Sequence, residues 1–151
     1  MEASGRRGKG GKPGKRVVAL DLGAVRVGVA IDDELGLYAH ARGVLDGRDT
    51  QGLLRRLAAM VEEDGVGRFL VGLPLDMKGG EGESARKARQ LAQRIADTTG
   101  VDVELIDERL STVQARRALA ASEVHGKKAR ARIDEVSAAT LLQAWLDARR
   151  A

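Results

Sequence analysis

The chain has 151 residues, of which 26 are Lys or Arg and 22 are Asp or Glu, and its formal net charge is +4. This length predicts one domain with a single hydrophobic core, and the absence of cysteine excludes disulfide scaffolds, thiolate zinc sites and cysteine nucleophiles. The apolar runs are far shorter than the roughly 20 residues of a membrane-spanning helix, and none follows the basic N-terminus as in a secretory signal, so we expect a cytoplasmic protein with no membrane partner.

The first 15 residues are predicted to form a disordered basic tail, and residues 16–151 to form the folded domain. Residues 1–16 contain six bases, five glycines and the single acid Glu2, which gives a net charge of +5, whereas the remaining bases and acids sum to −1. Such a composition has too little apolar surface to fold. The tail is either a nucleic-acid arm that gains affinity by releasing counterions or a solvated leader.

Apolar residues at strand or helical spacing predict the elements of the folded domain. Three strands come first, followed by a helix, a strand and a glycine-rich loop, at 16–22, 26–31, 37–45, 50–64, 68–72 and 76–83. The next elements are a helix and a strand, at 84–99 and 101–106. A helix with a capping box at Ser111, a basic loop and a final helix complete the chain, at 111–121, 124–132 and 134–148.

This order predicts an α/β fold with a mixed five-stranded sheet flanked by helices. The three opening strands have no helix between them and are expected to form an antiparallel meander. Strands separated by helices require parallel crossovers. In open α/β sheets, functional groups gather beyond the carboxyl ends of the parallel strands.

Three acids stand at the ends of predicted elements on that edge. Asp21 ends the first strand, Glu108 follows the last strand, and Asp134 begins the last helix. Two carboxylates about 4 Å apart repel by about 4 kcal/mol at an effective dielectric near 20, so a cluster requires a cation, and oxygen ligands favour Mg²⁺ or Mn²⁺. Two such ions could activate water and stabilise the leaving oxygen of a phosphodiester. Each acid also has a structural interpretation: Asp21 could form a turn, Glu108 could form a surface ion pair, and Asp134 could cap a helix.

A basic segment follows the second acid. Between residues 109 and 132, seven bases stand against the single acid Glu123. This charge favours contacts with backbone phosphates, although a solvated surface has a similar composition. The bases are Arg109, Arg116, Arg117, Lys127, Lys128, Arg130 and Arg132.

Several short motifs resemble those of the YqgF/RuvX family of ribonuclease H-like proteins. They are Asp-Leu-Gly at 21–23, Arg-Val-Gly-Val-Ala at 26–30, Val-Gly-Leu-Pro-Leu at 71–75, Asp-Glu-Arg-Leu-Ser-Thr at 107–112 and Ile-Asp at 133–134. The matches extend from residue 17 to about residue 146, and the motif at 107–112 is specific. Members are described as nucleases that mature the 5′ end of the 16S ribosomal RNA precursor, and some as Holliday junction resolvases.

The resemblance implies a ribonuclease H-like nuclease domain with a site built from these motifs. Asp21, Glu108 and Asp134 would be the catalytic, metal-binding acids, and Arg26 would join the bases of the 109–132 segment in binding nucleic acid. The residues lining the site would be Gly23, Gly72, Leu73, Pro74, Ser111 and Thr112.

Two positions depart from the family's pattern. Leu-Gly-Ala-Val at 22–25 replaces Tyr-Gly-Thr-Lys, which removes an aromatic ring and a hydroxyl but no proposed metal ligand. Ser137 stands where dedicated junction resolvases of this fold carry a fourth acid. Glu135 is a poor substitute, because it points about 100° around the helix from Asp134.

We therefore expect a hydrolase acting on ester bonds, a nuclease dependent on Mg²⁺ or Mn²⁺ that cuts structured RNA in the processing of pre-16S rRNA. One alternative is the same chemistry on a four-way DNA junction, which asks for a symmetric homodimer rather than a monomer. A second alternative is a non-catalytic RNA-binding factor in ribosome assembly. An actin-like ATPase is disfavoured because it needs two phosphate-binding lobes, and the chain has one Asp-X-Gly hairpin.

Overall fold

The computed structural model describes residues 14–110 and 126–150, and five strands within these ranges form one sheet. The strands are β1 (Arg16–Leu22), β2 (Arg26–Asp32), β3 (Ala39–Asp46), β4 (Val66–Leu73) and β5 (Asp102–Asp107). Their order across the sheet is β3-β2-β1-β4-β5. β1, β2 and β3 pair antiparallel, while β4 is parallel to both β1 and β5. The predicted mixed sheet with an antiparallel meander is confirmed.

Helices cover both faces of this sheet. They are α1 (Thr50–Asp64), α2 (Glu83–Thr99) and α3 (Lys127–Arg150), and a short 3₁₀ helix (Glu108–Leu110) follows β5. Side chains alternate between the faces, so that Val18 and Leu20 of β1 pack with α1 and α2, while Val17 and Ala19 pack with α3. Residues in odd positions of β1, including Asp21, therefore face α3.

The ends of α1 and α2 follow local signals in the sequence. The Asp49 carboxylate accepts a hydrogen bond from the N–H of Gly52 at 3.0 Å and caps the start of α1. Gly65 and Gly100, with φ of 70° and 73°, adopt the left-handed conformation just after the two helices. Since side chains other than glycine resist that conformation, these glycines terminate the helices as predicted.

The start of the last helix differs from the prediction. α3 begins at Lys127, so the predicted basic loop at 124–132 is largely helical, and Asp134 lies in the second turn of α3 rather than at its start. The high charge of 127–132 suggested a loop, but Lys, Ala and Arg are all strong helix formers. Gly126, with φ of 90°, immediately precedes the helix.

Parts of the remaining predictions fall on undescribed residues. The predicted helix at 111–121 lies outside the described residues, as does the basic tail up to residue 13. The described chain packs from Gly14 onward, where an added Cβ would lie 2.2 Å from the carbonyl oxygen of Gly65. None of the helices in the described part of the chain is long and apolar enough to cross a membrane.

Candidate active site

Asp21 lies in a row of residues that crosses the sheet beneath α3. Its partner in the antiparallel register is Gly28 of β2. On its other side Leu20 pairs with Val71, which places Gly72 of β4 beside Asp21. Only 1% of the surface of Asp21 is exposed. Asp21 therefore has a glycine beside it on each of the two neighbouring strands.

The two flanking glycines make room for the other predicted acids. A Cβ at Gly28 would lie 2.1 Å from the carbonyl oxygen of Asp134, so the backbone of α3 rests directly on β2. A Cβ at Gly23, in the turn after β1, would lie 3.3 Å from Asp134 Oδ2. The carboxylate of Asp134 is therefore held over the turn that follows Asp21.

Glu108 approaches from the opposite side of Asp21. It begins the 3₁₀ helix after β5 and is 1% exposed. Its Oε2 would lie 2.6 Å from a Cβ at Gly72, so its side chain lies over β4, the strand next to β1. The structure thus brings all three predicted acids to one end of the sheet, although residues 14–110 and 126–150 hold no group of three His, Asp or Glu side chains arranged to coordinate a metal ion.

An arginine contributes positive charge at this edge. Arg26, the first residue of β2, places its Nε 3.4 Å from Asp134 Oδ2, and both side chains are largely shielded from solvent. A partly shielded ion pair is screened less by salt than a surface pair. Arg26, predicted to bind nucleic acid, is therefore within the group of acids.

Arg109 is held on the opposite border of the site. Its guanidinium donates to both oxygens of Asp107, at 3.0 Å from Nε to Oδ1 and 2.7 Å from Nη2 to Oδ2. These hydrogen bonds lower the pKa of Asp107 and raise the pKa of Arg109. Its Nη1 also donates to the carbonyl oxygen of Asp76 at 3.3 Å. The arginine predicted to contact phosphate is thus fixed in orientation by Asp107 and Asp76.

The predicted glycine-rich loop at 76–83 is folded into a compact turn. The Asp76 carboxylate accepts hydrogen bonds from the N–H groups of Lys78 and Gly80, at 2.9 and 2.6 Å. Leu75 and Glu81 form an isolated antiparallel bridge across it. The turn places Met77, which is 96% exposed, at its tip.

The other predicted site residues do not all lie beside the three acids. Leu73 packs into the core on the α1 and α2 face of the sheet, whereas Pro74 and Gly23 line a surface groove. Lys128 and Arg132 are exposed in the first turns of α3, which also contain Lys127 and Arg130. Arg132 lies 3.8 Å from Glu135. The predicted positions Ser111, Thr112, Arg116 and Arg117 lie outside the described residues.

Glu135 and Ser137 are the two residues considered above for the position of a fourth acid, and their surroundings differ. The Glu135 carboxylate accepts a hydrogen bond from the N–H of Gly43 at 2.7 Å and thereby ties α3 to β3. Ser137 is fully buried, and its Oγ makes no hydrogen bond with any residue of the described ranges. Glu135 is thus engaged in joining α3 to β3.

The groove itself was missed by the sequence interpretation. Its volume is about 1110 Å³, and it runs from Gly23, Arg26 and Asp134 to the exposed face of α2, where Lys87 and Arg94 line it. The spacing of seven residues puts these two bases on one side of a helix. That signal was available in the sequence, but the position of α2 beside the acids was not.

Comparison with known proteins identifies the family. The model of the RuvX family, described as Holliday junction resolvase, matches residues 15–148. The chain belongs to the RuvX family. A relative from Anaeromyxobacter sp. (strain Fw109-5), named "Putative pre-16S rRNA nuclease", is 44% identical over 136 residues, which is 90% of this chain and 99% of the relative. A relative of the same name from Myxococcus xanthus (strain DK1622) is 43% identical over 135 residues, which is 89% of each chain.

Solved structures agree with this RuvX family assignment at the level of the fold. RuvC from T. thermophilus in complex with a Holliday junction has a TM-score of 0.56 at 14% identity, covering 90% of this chain and 96% of that one. The Holliday junction resolvase of fowlpox virus has a TM-score of 0.51 at 10% identity, covering 89% and 99% of the two chains. The predicted ribonuclease H-like fold is thereby confirmed.

Proposed function

We propose that this RuvX family protein is a nuclease that hydrolyses phosphodiester bonds in RNA, with the precursor of 16S rRNA as its substrate. The observation that carries the proposal is the row beneath α3, in which glycines on both sides of Asp21 admit Glu108 and Asp134. Relatives that share more than 40% of their residues with this chain carry the same substrate in their names. Its place of action would be the cytoplasm, where ribosomal RNA matures.

A divalent metal ion fits the chemistry of this site. Three carboxylates without a thiolate or imidazole form an oxygen-only donor set, which suits Mg²⁺ or Mn²⁺. Asp21, Glu108 and Asp134 would hold the ion. These side chains are not arranged for coordination in the present structure, so holding the ion would require them to move closer together. When bound, the metal would supply Lewis acidity toward the scissile phosphate and lower the pKa of a water molecule.

The chain's own residues position and neutralise the substrate. Arg26 lies 3.4 Å from Asp134 and would donate hydrogen bonds to a phosphate oxygen bound beside that carboxylate. Arg109 is oriented by Asp107 and by the carbonyl of Asp76, which leaves its outer N–H groups to a neighbouring phosphate. Arginine suits this role because its planar group binds phosphate through two hydrogen bonds.

The proposal is tested with purified protein and a pre-16S rRNA fragment in Mg²⁺ or Mn²⁺. We expect the wild-type protein to cut the fragment and Asp21→Asn to abolish cutting, with the melting temperature unchanged or higher because a buried negative charge is removed. Glu104→Gln is the matched control, since Glu104 lies on β5 and pairs with Arg68 away from the site. A wild-type protein that cuts no RNA with either metal, or an active Asp21→Asn protein, contradicts the proposal.

Deleting residues 1–15 distinguishes the proposed nuclease from the alternative, a non-catalytic RNA-binding factor in ribosome assembly. A protein that only binds RNA through its basic tail would lose most of its affinity for RNA. A nuclease would keep metal-dependent cleavage by the folded domain, with a higher KM where the tail assists binding. The two outcomes are measured on the same RNA fragment.

A four-way DNA junction is the second candidate substrate, because the matching family is described as Holliday junction resolvase. The observation against it is Ser137, which occupies the position of the fourth acid of dedicated resolvases and is buried without a carboxylate. Paired symmetric nicks on a synthetic junction, together with a dimer in solution, would favour this substrate. A monomer that leaves junctions intact would exclude it.

A further inference from the structure

The groove beside the acids continues onto a helix surface that the family motifs do not include. It has a volume of about 1110 Å³ and is lined by residues of α1, α2 and the turn between β1 and β2. Small-molecule pockets usually occupy roughly 300–1,000 Å³ and enclose their ligand. This groove has a volume near the upper end of that range, but it lies open on the surface and extends from the carboxylate site to α2, which suits a polymer that continues beyond the reacting group.

The charge of the groove is positive away from the acids. Its lining includes the bases Arg26, Lys87 and Arg94, and Asp134 is its acid. Arg26 is paired with Asp134, and Lys87 makes an exposed contact with Glu83 at 3.4 Å, which is worth little in water. Both α2 bases are therefore available to a negatively charged ligand.

Lys87 and Arg94 lie along the groove on one side of α2. Seven residues separate Lys87 from Arg94, which corresponds to about 10.5 Å along the helix axis. Side chains that far apart can contact different phosphates of one strand. Gln90, between them on the same face, also lines the groove and offers both hydrogen-bond donors and acceptors.

We propose that Lys87 and Arg94 of α2 bind the phosphates of one RNA strand, on one side of the bond that is cut. This inference rests on the proposed function, because it places the scissile phosphate at Asp21, Glu108 and Asp134. It adds a binding track on the α1 and α2 face of the sheet, opposite to the basic residues at the start of α3.

The test is the double variant Lys87→Ala/Arg94→Ala, with binding measured by fluorescence anisotropy of a labelled single-stranded RNA of pre-16S sequence. EDTA is present, so that binding is measured without cleavage. Each phosphate contact to a single strand contributes about 0.7 to the slope of log K against log salt. Losing two contacts should reduce the slope by about 1.4 and weaken binding about 25-fold at 0.1 M salt.

The matched control is Arg86→Ala/Arg89→Ala, which removes the same charge from the same helix outside the groove lining. Arg89 pairs with Glu81 at 2.6 Å rather than facing the groove. We expect the control to bind like the wild type and Lys87→Arg/Arg94→Lys to restore the slope. Circular dichroism should show both alanine variants folded, since the buried face of α2 is unchanged.

The outcomes separate this inference from the proposed function. Wild-type protein that binds RNA but does not cut it contradicts the nuclease proposal and leaves the binding track standing. A groove variant that binds like the wild type, or an equal loss in the control variant, overturns the track. The track is also overturned if the wild type binds no RNA, or if the groove variant weakens binding to a four-way DNA junction alone.

Discussion

At Gly72, adding one methyl group should disturb the site while leaving the fold intact. A Cβ built there lies 2.6 Å from Oε2 of Glu108 and 3.3 Å from its Cδ and Cγ. Non-bonded heavy atoms are most favourable about 3.5–4.0 Å apart, so the carboxylate must move by about 1 Å. Because the clash is with the end of a side chain and not with backbone, Gly72→Ala should displace Glu108 and leave β4 in the sheet.

The expected effects differ greatly between activity and stability. Misplacing a reacting group by about 1 Å can reduce the rate about 10²-fold, so we expect a loss of cleavage of at least about that size. Overpacking usually costs about 1–3 kcal/mol, and removing a glycine from a strand returns about 0.5–1 kcal/mol. The free energy of unfolding of Gly72→Ala should therefore fall by about 1 kcal/mol or less, given that the carboxylate can rotate away.

Two measurements on the same preparations check this prediction. Cleavage of a pre-16S rRNA fragment gives the activity, and urea denaturation gives the free energy of unfolding. Gly82→Ala is the matched control, because a Cβ at Gly82 meets no atom within 4 Å. A folded Gly72→Ala protein with wild-type cleavage would refute the assignment of Glu108 to the site, as would an activity loss equal to the fraction of unfolded protein.

Three further changes test the surroundings of the site. Gly28→Ala should lower the free energy of unfolding by about 3 kcal/mol in urea denaturation, because its Cβ would meet a backbone carbonyl of α3 at 2.1 Å, which cannot rotate away. Glu135→Ala should lower it by about 1 kcal/mol through loss of the hydrogen bond from Gly43, and a loss of cleavage rate there would contradict its structural role. Asp107→Asn should lower the melting temperature above about pH 4; since Arg109 lowers the pKa of Asp107, the pair's stabilisation disappears as the pH falls through the folded-state value, and the two proteins should converge in acid.

The topology of the fold was predictable because its signals are local. Alternating apolar residues mark the strands, and Gly65 and Gly100 mark the ends of helices at the positions where the structure has them. The absence of a helix among the first three strands required the antiparallel meander. The place of Asp21 at the carboxyl end of β1 followed from the same pattern.

Other features depend on contacts between distant segments and were not predictable. The start of α3 at Lys127 was not predicted, because clustered charge is typical of a loop. Helix propensity and packing against the sheet make this segment helical instead. The motif placed Gly72 at the predicted site, but only the strand register shows that Gly28 and Gly72 lie on either side of Asp21. Leu73 was assigned to the site by its motif, but because side chains alternate along a strand it packs into the core on the α1 and α2 face of the sheet.

The surroundings of the three acids differ from those that the separate structural interpretations assume. Asp134 cannot cap α3, because the helix begins seven residues earlier. Asp21 pairs with Gly28 inside the sheet, and the turn hydrogen bond runs from Gly23 to Arg26 instead. Glu108 is 1% exposed and therefore lies below the surface.

What is left is an arrangement that stability alone would not favour. Strand glycines cost about 0.5–1 kcal/mol each relative to alanine, and carboxylates brought close together repel each other. Here Gly28 and Gly72 flank a buried Asp21, and the carboxylate of a second buried acid, Glu108, lies against Gly72. Sequences that violate local stability rules in this way usually do so at functional sites. The same reasoning requires Asp21→Asn to retain or raise the melting temperature while cleavage is lost; a large fall in melting temperature would show that this carboxylate stabilises the fold.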